Sequence, residues 1–189
     1  MTTISRPFSQ NVKRQTAADL VRHEAVREFA YPDPLSFIAR KYRRLRWGFV
    51  PARQLLTQVA EKEEHGRPWT VGVGFTHGVT PDSRMSKQQA MRKLDDKVGV
   101  FAGDLQRLIP DITDHPFVIQ TVFLNLIFNI GFTRLAKFRN TLAFLRDRNY
   151  EAVAANLEKS LWHRQVGRRA VELVERVRTL SIKPEHIFK

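Results

Sequence analysis

The chain has 189 residues, with 32 Lys and Arg against 19 Asp and Glu, for a formal net charge of +13. Apolar content of 42% and aromatic content of 10% exclude wholesale disorder. The absence of cysteine excludes disulfide scaffolds, thiol nucleophiles and thiolate metal centres, and leaves the redox compartment open.

This length fits one domain, or two small lobes sharing a core. The positive surplus points to a polyanionic partner, and DNA, RNA, acidic lipid and an anionic cell wall all satisfy it. The N-terminal stretch has no apolar run of signal-peptide length after its charges. Synthesis in the cytoplasm without a Sec signal is therefore the expectation. Residues 1–15 are polar and basic without periodicity and are expected to form a loose arm.

A helix is predicted from residue 16 to about 29, because Thr16-Ala17-Ala18-Asp19 resembles a capping box. Tyr31-Pro32-Asp33-Pro34 ends it, since each proline drives its predecessor out of the helical region. Residues 34–68 carry two patches of helical character, 35–47 and 52–64, parted by Gly48 and Pro51. Here eight basic residues (Arg40, Lys41, Arg43, Arg44, Arg46, Arg53, Lys62, Arg67) oppose only Glu61, Glu63 and Glu64. Trp69-Thr70-Val71-Gly72-Val73-Gly74-Phe75-Thr76 alternates β-branched residues with glycine and reads as a strand or hairpin.

Ser86, with Gln89 in the reciprocal position, should cap a helix running to about 108, where Pro110 follows. Residues 116–131 have apolar residues all round and read as a buried central helix. Gln120, Asn125 and Asn129 interrupt it, and it falls short of the roughly 20 residues a bilayer requires. Further helices fit 140–148, 150–162 and 168–180. The expectation is a mainly helical α+β chain: an α/β lobe over 16–85, a connecting helix over 86–109, a helical lobe over 110–181 and a tail over 182–189.

Glu24 follows Leu20 by four and Val21 by three, which turns it toward the apolar face of its helix. Such a setting favours the protonated carboxyl that a general acid needs, and equally suits a half-buried glutamate satisfied by an arginine. Asp33 stands nine residues on, between two prolines where the chain turns. A loop aspartate is ordinary turn chemistry, yet a solvated carboxylate near a buried one is also the pairing that glycoside hydrolysis uses. His23, His77 and His115 are isolated, so no metal site is expected. Gly72-Val73-Gly74 lacks the remainder of a phosphate loop, so no cofactor is expected either.

Taken in order, Glu24, Asp33 and the run Thr70-Val71-Gly72-Val73-Gly74 resemble the phage-type muramidases of glycoside hydrolase family 24, most of all those of the T-even phages. Phe128-Asn129-Ile130-Gly131, Asn140-Thr141-Leu142, the stretch from Ala155 to Trp162 and Arg168-Arg169 are similar to that family's helical lobe in the same order. The resemblance implies a lysozyme fold and hydrolysis of the β-1,4 bond between N-acetylmuramic acid and N-acetylglucosamine in bacterial peptidoglycan. Glu24 would be the general acid, with Asp33 and Thr70 positioning water. Thr76, Phe128, Asn129, Thr141 and Asn156 would contact substrate in a cleft between the lobes, and Arg169 would pair with Glu24. Phe75, Thr76 and Asn129 depart from the family's usual residues.

The family joins its Asp and Thr by a short turn, whereas residues 34–68 form a basic insert between them here. The insert would present Arg40-Lys41-Tyr42-Arg43-Arg44-Leu45-Arg46-Trp47 to anionic wall polymer or a protein partner, or pack as a solvated helical face. A monomer acting in the periplasm or outside the cell, after holin-type release or dedicated secretion, follows from the resemblance. A secreted antibacterial effector whose insert binds a carrier or immunity protein is the second reading. A specific nucleic-acid binder is disfavoured, because no recognition signature accompanies the charge.

Overall fold

The computed structural model describes residues 6–33 and 67–180. These residues form eight α-helices and one two-stranded antiparallel sheet, which is the mainly helical α+β class expected. The two helical patches of the insert and the C-terminal tail lie outside the described residues. No described helix is long and apolar enough to cross a membrane. The chain divides into two compact units, residues 20–95 in one and residues 1–19 with 96–189 in the other. This division differs from the lobes predicted at 16–85 and 110–181, because it falls inside two helices.

The first of these, α1 (Gln10–Glu24), begins within the predicted arm. Ser9 caps it, its Oγ accepting from the Val12 amide at 3.3 Å, and Phe8 and Val12 are buried. The apparent capping box at Thr16 is thus mid-helix. The Thr16 hydroxyl donates back to the Val12 carbonyl at 2.9 Å, while buried Asp19 accepts from Arg176 at 2.5 and 3.0 Å. Five residues before the predicted end, α1 stops at Glu24, and Ala25 turns the chain with φ 58°.

Beyond that turn the chain runs as a strand, β1 (Arg27–Pro32), instead of continuing the helix. It pairs antiparallel with β2 (Trp69–Gly72), with Tyr31 opposite Thr70 and Pro32 opposite Trp69. A register shift lies between Arg27 and Tyr31, where the 83–85 segment joins β1 from its other edge: Ala30 donates to the Ser83 carbonyl and Met85 to that of Glu28. One face of the pair is a small core of Ala30, Trp69 and Val71, with Val79 and Met85 packed on it.

Next comes α2 (Lys87–Leu108), opened by the predicted capping box: Ser86 N–H donates to Gln89 Oε1 at 2.8 Å, and Gln89 N–H to Ser86 Oγ at 3.2 Å. A 3₁₀ turn (Ile112–Asp114) leads to α3 (Phe117–Ile130), the central apolar helix, closed by Gly131. Around α3 stand α4 (Phe132–Leu135), α5 (Arg139–Arg146), α6 (Tyr150–Glu158), α7 (Leu161–Val166) and α8 (Arg168–Arg178). The single helix expected over 150–162 is broken because the Ser160 hydroxyl caps α7, accepting from His163 N–H at 3.1 Å. Ile119, Val122, Phe123, Leu124, Leu126 and Ile127 of α3 are all buried, each contributing about 1.5–3 kcal/mol.

Two polar contacts in the helical unit generate stability predictions. Asp19 is buried against Arg176, which also reaches Glu172. Asp19→Ala strands that guanidinium beside one remaining carboxylate and is expected to cost about 2–3 kcal/mol in a urea melt. His115 is buried, with Nδ1 3.1 Å from the Tyr150 hydroxyl and Nε2 3.4 Å from Asp111 Oδ2. Burial holds its ring below the usual histidine range, against the opposing pull of Asp111. The stability carried by the neutral ring is therefore complete above pH ~6.5 and is lost as pH falls from there through the lower folded value. Urea melts below pH ~6.5 should show that loss in the wild type and a shallower one in His115→Gln.

Candidate active site

Glu24, Asp33 and Thr70 all belong to the 20–95 unit. Asp33 is held just past β1, where its N–H donates to the Pro68 carbonyl at 2.9 Å. Pro68 has no N–H to return, so this last rung carries one bond and the ladder stops there. Directly opposed residues share a face, and so do residues two apart in a strand. The register therefore sets Tyr31, Asp33 and Thr70 on one face and Ala30, Trp69 and Val71 on the other, where they form the small core.

Thr70 is 3% exposed, and its hydroxyl oxygen has no hydrogen-bond partner among the described residues. Asp33 and Glu24 are half-buried. Glu24 is the last residue of α1, and its carboxylate comes up against the loop after β2. There, mutual hydrogen bonds between Val71 and Phe75 fold the chain back on itself. Gly72 is required at the entry to that loop: its φ is +67°, and a Cβ would sit 2.8 Å from Met85 Sδ and 2.9 Å from the Phe75 ring. Gly74 is favoured by its φ of +74°, and a Cβ placed there would rest in ordinary contact with Glu24 Oε2, at 3.6 Å. Tyr31 stands among the two carboxylates. Burial raises its pKa most, Glu24 and Asp33 add to that, and Arg27 opposes them. Thr76, in the same unit, is exposed.

The remaining predicted residues belong to the helical unit. Phe128 packs edge-to-face on Phe101, with ring centroids 5.6 Å apart. Asn129 Oδ1 accepts from Trp162 Nε1 at 2.9 Å. Asn156 Oδ1 accepts from the Thr141 hydroxyl at 2.8 Å. Thr141, one of the expected substrate contacts, is fully buried, and its hydroxyl holds the Asn156 amide in place. Asn129, Asn156 and Trp162 line a pocket of about 960 Å³ whose other lining residues include Arg134, Lys137, Arg139 and Lys159, with no carboxylate among the described residues. Arg169, at the start of α8, is 7% exposed and donates through Nε and Nη2 to Asn125 Oδ1 at 3.0 and 2.5 Å.

Sequence reading missed Asn125, Tyr31 and the basic pocket. The signal for Asn125 is an amide flanked by Phe123, Leu124, Leu126 and Ile127 in a largely apolar helix, which demands a buried partner. Tyr31 was read only as part of a helix stop, and the pocket draws on five separate elements.

A sequence model of the phage lysozyme family matches residues 56–179. The chain belongs to that family. Membership implies a lysozyme, a glycoside hydrolase whose substrate is peptidoglycan. The matched span begins C-terminal to Glu24 and Asp33, takes in Thr70 and the pocket, and ends just past α8.

Gly74 and Gly78 offer a matched test. Both have positive φ, but a Cβ at Gly78 meets nothing within 4 Å, whereas one at Gly74 meets the Glu24 carboxylate. Each alanine variant should lose about 1 kcal/mol of stability from backbone strain. Only Gly74→Ala should also slow clearance of a peptidoglycan suspension, measured at a temperature where both variants are folded.

Proposed function

We propose that the protein is a muramidase that hydrolyses the β-1,4 bond between N-acetylmuramic acid and N-acetylglucosamine. Glu24 protonates the glycosidic oxygen as the bond breaks. Asp33 and Thr70 position the water that adds to the sugar cation: Asp33 draws off its proton, and the Thr70 hydroxyl orients it. The observation that carries this reading is the β1–β2 register, which sets Asp33 and Thr70 on one face of the pair while Glu24 abuts the loop that leaves it. The buried Thr70 oxygen, without a partner among the described residues, supports its role, because a hydroxyl so placed can bond a water that the fold holds for reaction. Delivery of that water from the face opposite the leaving group gives inversion at the anomeric carbon.

In the helical unit, Asn129 and Asn156 offer amides, and Arg134, Lys137, Arg139 and Lys159 offer charge, to the carboxylate-bearing peptide branches of the polymer. The family resemblance gives Arg169 the task of countering the Glu24 charge.

Clearance of purified peptidoglycan tests the reading, with sugar reducing ends as the readout. Wild type should be active, and Glu24→Gln should lose about 10²–10⁴-fold in rate, the scale of general acid catalysis. Asp33→Asn should be at least as deleterious as Thr70→Val. A folded wild type that releases no reducing ends at any pH would sink the muramidase assignment. Strong residual activity in Asp33→Asn alone would remove Asp33 from the mechanism.

A further inference from the structure

Tyr31 shares the face of Asp33 and Thr70 but neither protonates the leaving oxygen nor handles the water. It pairs with Thr70 across the ladder and precedes Asp33 by two, so all three side chains leave the sheet on the same side. It is half-buried, and the charged groups that act on its phenol are Glu24 at the end of α1, Asp33 beyond β1, and Arg27 at the start of β1. The facing residue on β2 is the uncharged Thr70. Burial and both carboxylates push the phenol upward, so it stays protonated at neutral and acidic pH. A phenol in that state has one proton to donate, and Glu24 and Asp33 are the carboxylates whose charge acts on it.

We propose that Tyr31 is a positioning residue of this site, a neutral hydrogen-bond donor that serves Glu24 and Asp33 and fixes which of them keeps its proton. The inference rests on the muramidase reading and deepens it. Two carboxyls in one site repel when both ionise, so one must be held charged and the other protonated for acid and water-activating roles to coexist. A hydroxyl donor favours the ionised form of whichever carboxylate it serves. Removing it raises the affinity of that carboxylate for its proton.

The test is Tyr31→Phe, which keeps the ring and deletes the donor, assayed by reducing-end release from peptidoglycan across pH, with a thermal melt as the check on folding. The expected result is a kcat lowered about tenfold with KM little changed, and a pH–rate profile displaced upward by about one unit. A folded variant with an unchanged profile overturns the proposal, even if its rate is lower, because a purely structural role would not move the pH dependence. If Tyr31→Phe loses its cooperative melt, difluorotyrosine placed at position 31 by nonsense suppression keeps the shape and makes the phenol more acidic. The profile should then gain a new alkaline limb, and its absence overturns the proposal. Failure of the wild type to hydrolyse peptidoglycan would instead remove the muramidase reading itself, so the two failures are distinct.

Discussion

The candidate site depends on the antiparallel register of β1 against β2, because that pairing brings together residues the sequence separates widely. Between Asp33 and Thr70 stand 36 residues, where a short turn would do. Lengthening such a loop about eightfold costs only about 2 kcal/mol of closure entropy, at roughly 0.6 kcal/mol per doubling. Trp69 is 1% exposed, and burying an indole of about 150–250 Å² contributes about 4–6 kcal/mol. Closure is therefore offset by one side chain at the returning end, aided by Ala30 and Val71 on the same face. A long connection is tolerated there because both of its ends are tied to a ladder that has its own core, and the Asp33–Pro68 rung fixes where it leaves and returns.

A similar economy governs the helical unit, where a few polar pairs set register inside an apolar packing. Asn125 is fully buried in α3, and a bare amide there would be costly. Arg169 is nearly as buried, and its guanidinium would be costlier still. Arg169 donates two bonds to Asn125 Oδ1, locking the first turn of α8 onto α3, while Asn125 Nδ2 is buried with no partner among the described residues. Thr141 under Asn156 and Asn129 on Trp162 Nε1 repeat the device at the pocket: a donor from one helix fixes the amide of another. Amides so held present a defined pattern of donors to a ligand, which is what precise recognition of a polymer requires.

How far the sequence discloses an element depends on how local its signal is. The Ser86–Gln89 box and the apolar run of α3 are decided by residues within one or two turns of each other, and both stand where expected. Thr16 and Asp19 have the same local form as a capping box, but Asp19 is claimed by Arg176, 157 residues away, and the helix starts earlier because Phe8 and Val12 are drawn into the core. The strand Arg27–Pro32 carries little β propensity, and its order comes from partners at 69–72 and 83–85. Of the candidate site, Glu24, Asp33 and Thr70 are suggested by their spacing in a family pattern. Tyr31 is not, because its place depends on register alone.

Part of the +13 charge has a definite location. On α8, Arg176 is engaged by Asp19 and Glu172, and Arg178 by Glu158 and Glu175, so four acidic residues are committed to ion pairs along one helix. The pocket lining, in contrast, brings Arg134, Lys137, Arg139 and Lys159 together with no carboxylate among the described residues. Surface charges interact over about 8–10 Å at physiological salt, so cations gathered in a concave lining reinforce one another where scattered ones are screened apart. A neutral glycan gains nothing from such a field, but a glycan with carboxylate-bearing branches is both drawn in and oriented by it. Charge so placed favours encounter and retention of an anionic polymer, both of which weaken as salt rises, and it is separate from the candidate residues that the β1–β2 register assembles.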